Sequence, residues 1–338
     1  MDPIAPIAQT PVPQAPVSVP APQITPAGSF DGPVALTKFA WGIFIKHWKT
    51  LGLILLVPVV IYAIGVLLIA THSSIGSILG FIVVVAFYVF LLAALPATIR
   101  AIHHFVTGAA PVSVATHYRF GFSVFWPFLL VTIIAGLVMA GSSALLVIPG
   151  IFVAVSTLVY KYAFVIDGKR GFSALTESFA LVRGRWWKVF GRMLFLILVV
   201  VIVYIIVILI GLLVSMLPPV LAVVIGIIIG LAFLLFAWSF GHAYFYRLYN
   251  SLKESRSANV PTGTFKGWLI AFLCIGIISP LILIPIMSAI VLSSLNVARM
   301  KGIEAQQNAQ ARMAEIQRVI DAENLKSMQQ GTGTPVQK

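Results

Sequence analysis

Charged residues are scarce in this sequence. Only 9% of its 338 residues are Asp, Glu, Lys or Arg, whereas a soluble globular domain carries about 25%, so a water-solvated fold is excluded. Acidic residues are scarcer still, with nine carboxylates against 22 lysines and arginines and a net charge of +13. Cysteine occurs once, at Cys274 within an apolar run, which excludes an internal disulfide and a cysteine-built metal site. A glycine-rich phosphate loop ending in Lys is missing too. What the chain has in abundance is apolar residues, 60% of the total, with a mean hydropathy of +1.06. These features define an all-α, polytopic membrane protein. Its cations flank apolar runs rather than gathering in one soluble basic domain, so anionic membrane lipids, and not nucleic acid, are the expected partner of the excess charge.

Residues 1–34 are rich in Pro, Ala, Gln and Val and carry only Asp2 and Asp31 as charges. Such a composition buries no core, and a disordered tail is expected, able to recruit a protein partner through its Pro spacing. It lacks the basic start and apolar run of a secretory signal. Residues 35–250 read as the membrane domain. Its apolar runs are 51–70, 78–98, 127–139, 151–166, 193–216 and 220–240, and with their flanks each can cross a hydrocarbon layer of about 30 Å. Pro58 is the one place in the first where a kink, if the run has one, is expected. The sixth continues toward the interface through His242, Tyr244, Tyr246, Arg247 and Tyr249.

After the fourth run, Asp167 and Gly168 end the apolar pattern. Phe172, Leu175, Phe179, Val182, Trp186 and Phe190 then recur at three- and four-residue steps, which is the period of one helical stripe. A helix of this kind beside a span is expected to lie in the headgroup layer, its aromatic stripe toward acyl chains and its cations toward phosphate. Candidate headgroup contacts are Lys169, Arg170, Arg183, Arg185, Lys188 and Arg192 here, with Lys46 and Lys49 in the related segment 36–50. Trp48, Trp126, Trp186 and Trp187 are candidate interfacial anchors.

A repeat underlies this arrangement. Leu36, Thr37, Trp48, Lys49 and Gly52 match Leu175, Thr176, Trp187, Lys188 and Gly191 at one offset, and Ser113, Thr116 and Trp126 match Ser173, Thr176 and Trp186. Three units follow, each an in-plane amphipathic helix and a transmembrane hairpin. The loops after Thr71, Met139 and Met216 lack Lys and Arg, whereas 38–49, Arg100, Arg119, 169–192 and 247–256 carry them. The positive-inside rule then places the basic side and the amino terminus in the cytoplasm, with the chain in a bacterial inner membrane.

Residues 251–267 read as a polar linker and 268–295 as a seventh apolar segment interrupted by Pro280 and Pro285. Either it crosses, leaving the polar helical tail of 296–338 outside the cytoplasm, or it turns back as a re-entrant hairpin at the prolines. The tail ends in a flexible stretch over 331–338.

The motifs PGIF, FVID, ALTESFALVRG and WWKVF, within 149–190, resemble the membrane domain attached to some glycerophosphodiester phosphodiesterases and its free-standing bacterial relatives. The likeness extends over about 36–250 and implies six spans with cytoplasmic in-plane helices. It implies no hydrolase, because the catalytic domain with its metal-binding carboxylates and histidines is not in this sequence. KGWLIAFLCIGIISPLI and IVLSSLNVARMKGIEAQ, within 266–313, are similar to the amino-terminal helix of type IV pilin-like proteins. Phe272 stands at the fifth position after Gly267, where those proteins carry Glu, a departure from the pattern for cleavage and filament assembly.

Lys161 is the one strong cation inside a span, and an intramembrane charge is a functional candidate. At about 1.5 Å per residue it lies about 18 Å from Pro149, close enough to the inner headgroups to snorkel, with Tyr160 and Tyr162 as interfacial anchors. Asp167 reads as a helix-end cap or a partner of Lys169 or Arg170. His103, His104 and His117 lack a second ligand type for a metal. Gly141, Ser142 and Ser143 sit at the far end of the spans from His242, beyond the reach that a serine nucleophile needs. The sequence therefore yields no catalytic, cofactor-binding or metal-binding residue. A non-enzymatic scaffold or lipid-interacting membrane protein is expected, with a transporter or lipid translocator and a pilin-like assembly factor as alternatives.

Overall fold

The computed structural model describes residues 30–110, 112–256 and 266–331, and of Leu283 and 323–331 the backbone alone. The expected disordered tail up to residue 29, the middle of the linker and the last seven residues lie outside the described residues. Ten α-helices and no strand make up the rest: α1 Pro33–Ile69, α2 Ser74–Thr107, α3 Val114–Ser123, α4 Phe125–Leu145, α5 Val147–Thr157, α6 Tyr160–Ile166, α7 Phe172–Val182, α8 Trp186–Val214, α9 Pro219–Glu254 and α10 Lys266–Gly331. Seven stretches are long and apolar enough to cross a membrane, with α5 and α6 together forming one of them. The chain is an integral, multi-pass membrane protein.

Three times the backbone passes from a short amphipathic helix into a span through a break in the helical region, one residue long at the first two and the three residues Arg183, Gly184 and Arg185 at the third. The last residue of each break is His47 within α1 (φ −127°, ψ 16°), Val124 after α3 (φ −105°, ψ 9°) and Arg185 before α8 (φ −129°, ψ 12°). Trp48, Trp126 and the Trp186–Trp187 pair follow these breaks within two residues. The bridge-region residue re-aims the helix axis where the chain leaves the interface, and the indole marks that depth. The bend is therefore found at His47, ahead of the apolar run, and α1 stays helical through Pro58. Pro58 has no N–H for the carbonyl of Ile54, and the Tyr118 hydroxyl of α3 donates to that carbonyl instead, at 2.5 Å.

Contacts divide the chain into two units, Met1–Gly136 with Ile151–Leu269, and Leu137–Gly150 with Ile270–Lys338. In the first unit the buried side chains collect at one end of the long helices, where Leu36, Ile54, Ile99, Phe164, Leu175, Tyr244 and Tyr249 are closely packed. At the opposite ends of α1 and α2 only the glycines Gly65, Gly76 and Gly80 are buried. Beyond Leu196 in α8 and before Ser239 in α9 no side chain is buried, and Ile205, Leu212, Val220 and Ile227 are exposed. In water that apolar surface would cost about 25 cal/mol per Å², and hydrocarbon is the solvent that removes the cost.

Two expectations about the in-plane segments need correction. The stripe of α7 does not face acyl chains: Ala174, Leu175, Thr176 and Ser178 through Val182 are buried, in contact with α6 and α9. The Ser178 hydroxyl ties the helix to the carbonyl of Ser156 at 2.7 Å. The chain also leaves the helix after Val182, so Trp186 and Phe190 belong to the next element. At the amino-terminal side, residues 30–34, part of the expected tail, belong to the described fold. Asp31 is half-buried, and α1 starts at Pro33, a residue whose fixed φ suits a first helical turn. Likewise α9 extends to Glu254 and buries Ser251 and Leu252, so the start of the expected linker belongs to the packed core.

In the second unit α10 runs through Pro280 and Pro285 as one helix, which excludes the re-entrant hairpin. Gly141 and Ser142 lie in helix rather than in a loop. A Cβ on Gly141 would fall 1.9 Å from the carbonyl oxygen of Phe272, and one on Gly276 would fall 1.9 Å from that of Leu137. Backbone meets backbone at this crossing, the close approach that small residues permit between membrane helices.

Candidate lipid-binding girdle

Residues 30–256 hold fifteen lysines and arginines but only four carboxylates. Every one of the four is spent inside the protein. Asp31 and Glu254 both pair with Arg247, at 2.7 and 3.2 Å, Asp167 pairs with Lys253 at 2.7 Å, and Glu177 with Arg256 at 2.5 Å. Among the exposed cations, Lys46, Lys49, Lys169, Arg170 and Lys188 make no ion pair with these four carboxylates.

The partner expected for Asp167 was Lys169 or Arg170. Asp167 does sit at the carboxyl end of α6, but its carboxylate receives the Tyr249 hydroxyl at 2.6 Å and Lys253 at 2.7 Å, both from α9. Only 16% of its side chain is exposed, and a carboxylate so covered requires partners delivered from the protein side. Tyr160 and Tyr162 are likewise core residues and not interfacial anchors. The Tyr162 hydroxyl lies 3.2 Å from His242 Nδ1 and donates to the His242 carbonyl at 3.1 Å. Lys161 between them is half-buried, its Nζ 5.9 Å from the Tyr160 ring.

The candidate headgroup contacts fall into two sets. Lys46, Lys49, Lys169, Arg170, Arg183 and Lys188 are exposed. Arg170 lies over the Phe164 ring at 4.1 Å and donates through Nη1 to the Phe164 carbonyl at 3.4 Å, which fixes its stem. Arg185 and Arg192 turn inward. Arg185 bonds the carbonyls of Leu252 and Ser255 and the Ser255 hydroxyl, capping the carboxyl end of α9. Arg192 donates through Nε to the carbonyl of Asp31 at 2.7 Å and through Nη2 to that of Phe30 at 3.3 Å, and stacks on the Phe30 ring at 3.5 Å. Among the anchors, Trp48, Trp126 and Trp187 are 49, 75 and 77% exposed. Trp186 is instead stacked on Phe152 and Phe190 and donates to the Phe152 carbonyl.

The histidines are packing residues of the same layer. His103 Nδ1 meets the Tyr246 hydroxyl at 2.9 Å. His104 and His117 meet edge to face at 5.6 Å, and His117 is buried with neither ring nitrogen hydrogen-bonded. Burial pushes the pKa of His117 down to about 4, with His104 and Arg100 acting in the same direction. No group of three His, Cys, Asp or Glu suited to a metal occurs among the described residues.

Sequence reasoning placed His242, Tyr246 and Tyr249 toward the interface but missed that, with Trp238 and Lys253, they organise this layer. Trp238, His242, Tyr246, Tyr249 and Lys253 recur at steps of four, four, three and four, a polar aromatic stripe at helical period that was legible as such. The seating of Phe30 and Asp31 carried no periodic signal. Comparison with protein families, curated proteins and solved structures finds no match for this chain.

Proposed function

We propose that the chain is a non-enzymatic membrane scaffold whose basic girdle gathers anionic lipid on the cytoplasmic side of a bacterial inner membrane. One observation carries this reading: all four carboxylates of 30–256 are consumed internally, while Lys46, Lys49, Lys169, Arg170 and Lys188 stay exposed. Trp48 and Trp187, which neighbour Lys49 and Lys188, are exposed as interfacial anchors would be. Each such cation near an anionic surface contributes about 1 kcal/mol, fading within a Debye length. The likeness of 149–190 to the phosphodiesterase-associated membrane domain supports the same placement of in-plane helices.

The test uses the full chain in nanodiscs of mixed phosphatidylglycerol and phosphatidylcholine, with retained lipid counted by native mass spectrometry. The wild type should enrich phosphatidylglycerol, and replacing Lys46, Lys49, Lys169, Arg170 and Lys188 by Gln together should abolish the enrichment. Equal retention of both lipids by the wild type would overturn the proposal.

A further inference from the structure

The Phe30–Asp31 segment is held by contacts whose chemistry suits another ligand better. Arg192 directs Nε and Nη2 at two neutral backbone carbonyls and lays its plane on the Phe30 ring. Arg247 Nε binds the Asp31 carboxylate, and the Ser251 hydroxyl receives the Asp31 N–H at 2.8 Å. Two planar guanidiniums thus converge on one carboxylate and two carbonyls, and a hydroxyl accepts the N–H of the same segment. A guanidinium fork bonds a phosphate in bidentate fashion, and such charge-assisted bonds are about twice as strong as those to neutral carbonyls. The place is already fixed without the segment, since the buried Tyr244 donates its hydroxyl to the Arg192 carbonyl at 2.9 Å. It is also continuous with the exposed basic surface, because Arg192 Nη1 bonds the carbonyl of Lys188, one turn back beside the exposed Trp187.

We propose that Arg192, Arg247 and Ser251 form a phosphate-headgroup site which the chain's own Phe30–Asp31 segment now fills, so that anionic lipid enters when this clasp lets go. Asp31 stands in for the phosphodiester charge one for one, and the Phe30 ring covers the guanidinium face. The inference rests on the lipid reading above and adds a regulated site to it. When the competent state is only fractionally populated, apparent affinity is reduced by that fraction, and opening the clasp removes the reduction.

The experiment titrates the full chain, in zwitterionic nanodiscs, with short-chain phosphatidylglycerol, short-chain phosphatidylcholine and inorganic phosphate. Phe30→Ala changes no charge, and Asp31→Asn removes the paired carboxylate. Both should bind phosphatidylglycerol about tenfold more tightly than wild type, and adding Arg192→Gln to Phe30→Ala should return the affinity to the starting value. Glu254→Gln makes the same charge change as Asp31→Asn but leaves the clasp shut, and should gain less than about twofold. Competition by inorganic phosphate would identify a soluble phosphate as ligand, its failure a lipid headgroup, and either supports the site. Unchanged binding by Phe30→Ala, or equal gains from Asp31→Asn and Glu254→Gln, would overturn it. If the lysine-to-glutamine variant above still loses its lipid while Phe30→Ala changes nothing, the clasp alone fails. Absence of phosphatidylglycerol binding by every form would sink the girdle reading as well.

Discussion

Removing the Tyr118 hydroxyl tests whether a proline in a membrane helix is tolerated because a neighbour supplies its missing hydrogen bond. In a continuous helix the N–H of residue 58 would serve the carbonyl of Ile54, but Pro58 has no N–H. Ile54 is fully buried, so water cannot take the role, and the Tyr118 hydroxyl fills it at 2.5 Å. Burial raises the pKa of that hydroxyl well above the usual tyrosine range, which keeps it a donor. Tyr118→Phe deletes one oxygen and leaves a buried carbonyl unpaired, for which about 1–3 kcal/mol of stability should be lost. Pro58→Ala restores an N–H at the position where the helix needs it. In that background the same Tyr118→Phe change should cost under about 1 kcal/mol, since the orphan no longer forms. The assay is SDS-driven unfolding of the full chain in mixed micelles, followed by tryptophan fluorescence, for the four members of the cycle. An equal cost of Tyr118→Phe in both backgrounds would refute the reasoning.

Two further outcomes follow from the packing. The folded pKa of His117 is held down to about 4, against about 6.5 in an unfolded chain, so the unfolded state takes up the proton first. Stability should be full above about pH 6.5 and decline by up to about 3 kcal/mol as pH falls toward 4; a His117→Phe variant whose acid slope matches the wild type would count against this. At the glycine crossing, Gly276→Leu places side-chain atoms where the carbonyl of Leu137 now sits. A cysteine pair at Ala144 and Ile278, which line one cavity, should cross-link in a Cys274→Ser background and fail to do so once Gly276→Leu is added; persistent cross-linking would show that the approach does not need glycine.

Long-period features were legible in the sequence. Apolar run length gave the spans, and the matched Leu36/Leu175 and Trp48/Trp187 pairs gave the repeat, whose members share their environments: both leucines are fully buried and both indoles exposed. The α7 stripe was misassigned because periodicity reports that one face of a helix avoids water without saying whether lipid or protein covers it. Asp167 was misassigned because sequence neighbours are the easiest partners to imagine, whereas Tyr249 and Lys253 arrive from a helix 82 and 86 residues away. Nothing in the composition marks Arg185 and Arg192 as serving carbonyls inside the protein, which only tertiary structure shows. The general scarcity of acid was the available clue, since each lone carboxylate among so many cations had a partner to find.

The unburied halves of α8 and α9 separate two properties that soluble proteins keep together. The buried contacts lie in the aromatic layer at the other end, and the hairpin beyond it is joined by contacts such as Tyr204 with Phe233, so the tip can be fitted to its surroundings. Inserting one turn, about four residues, into each helix would extend the pair by about 5.4 Å and match a thicker bilayer without displacing a single core contact. Length at the tip and packing at the foot can therefore vary independently.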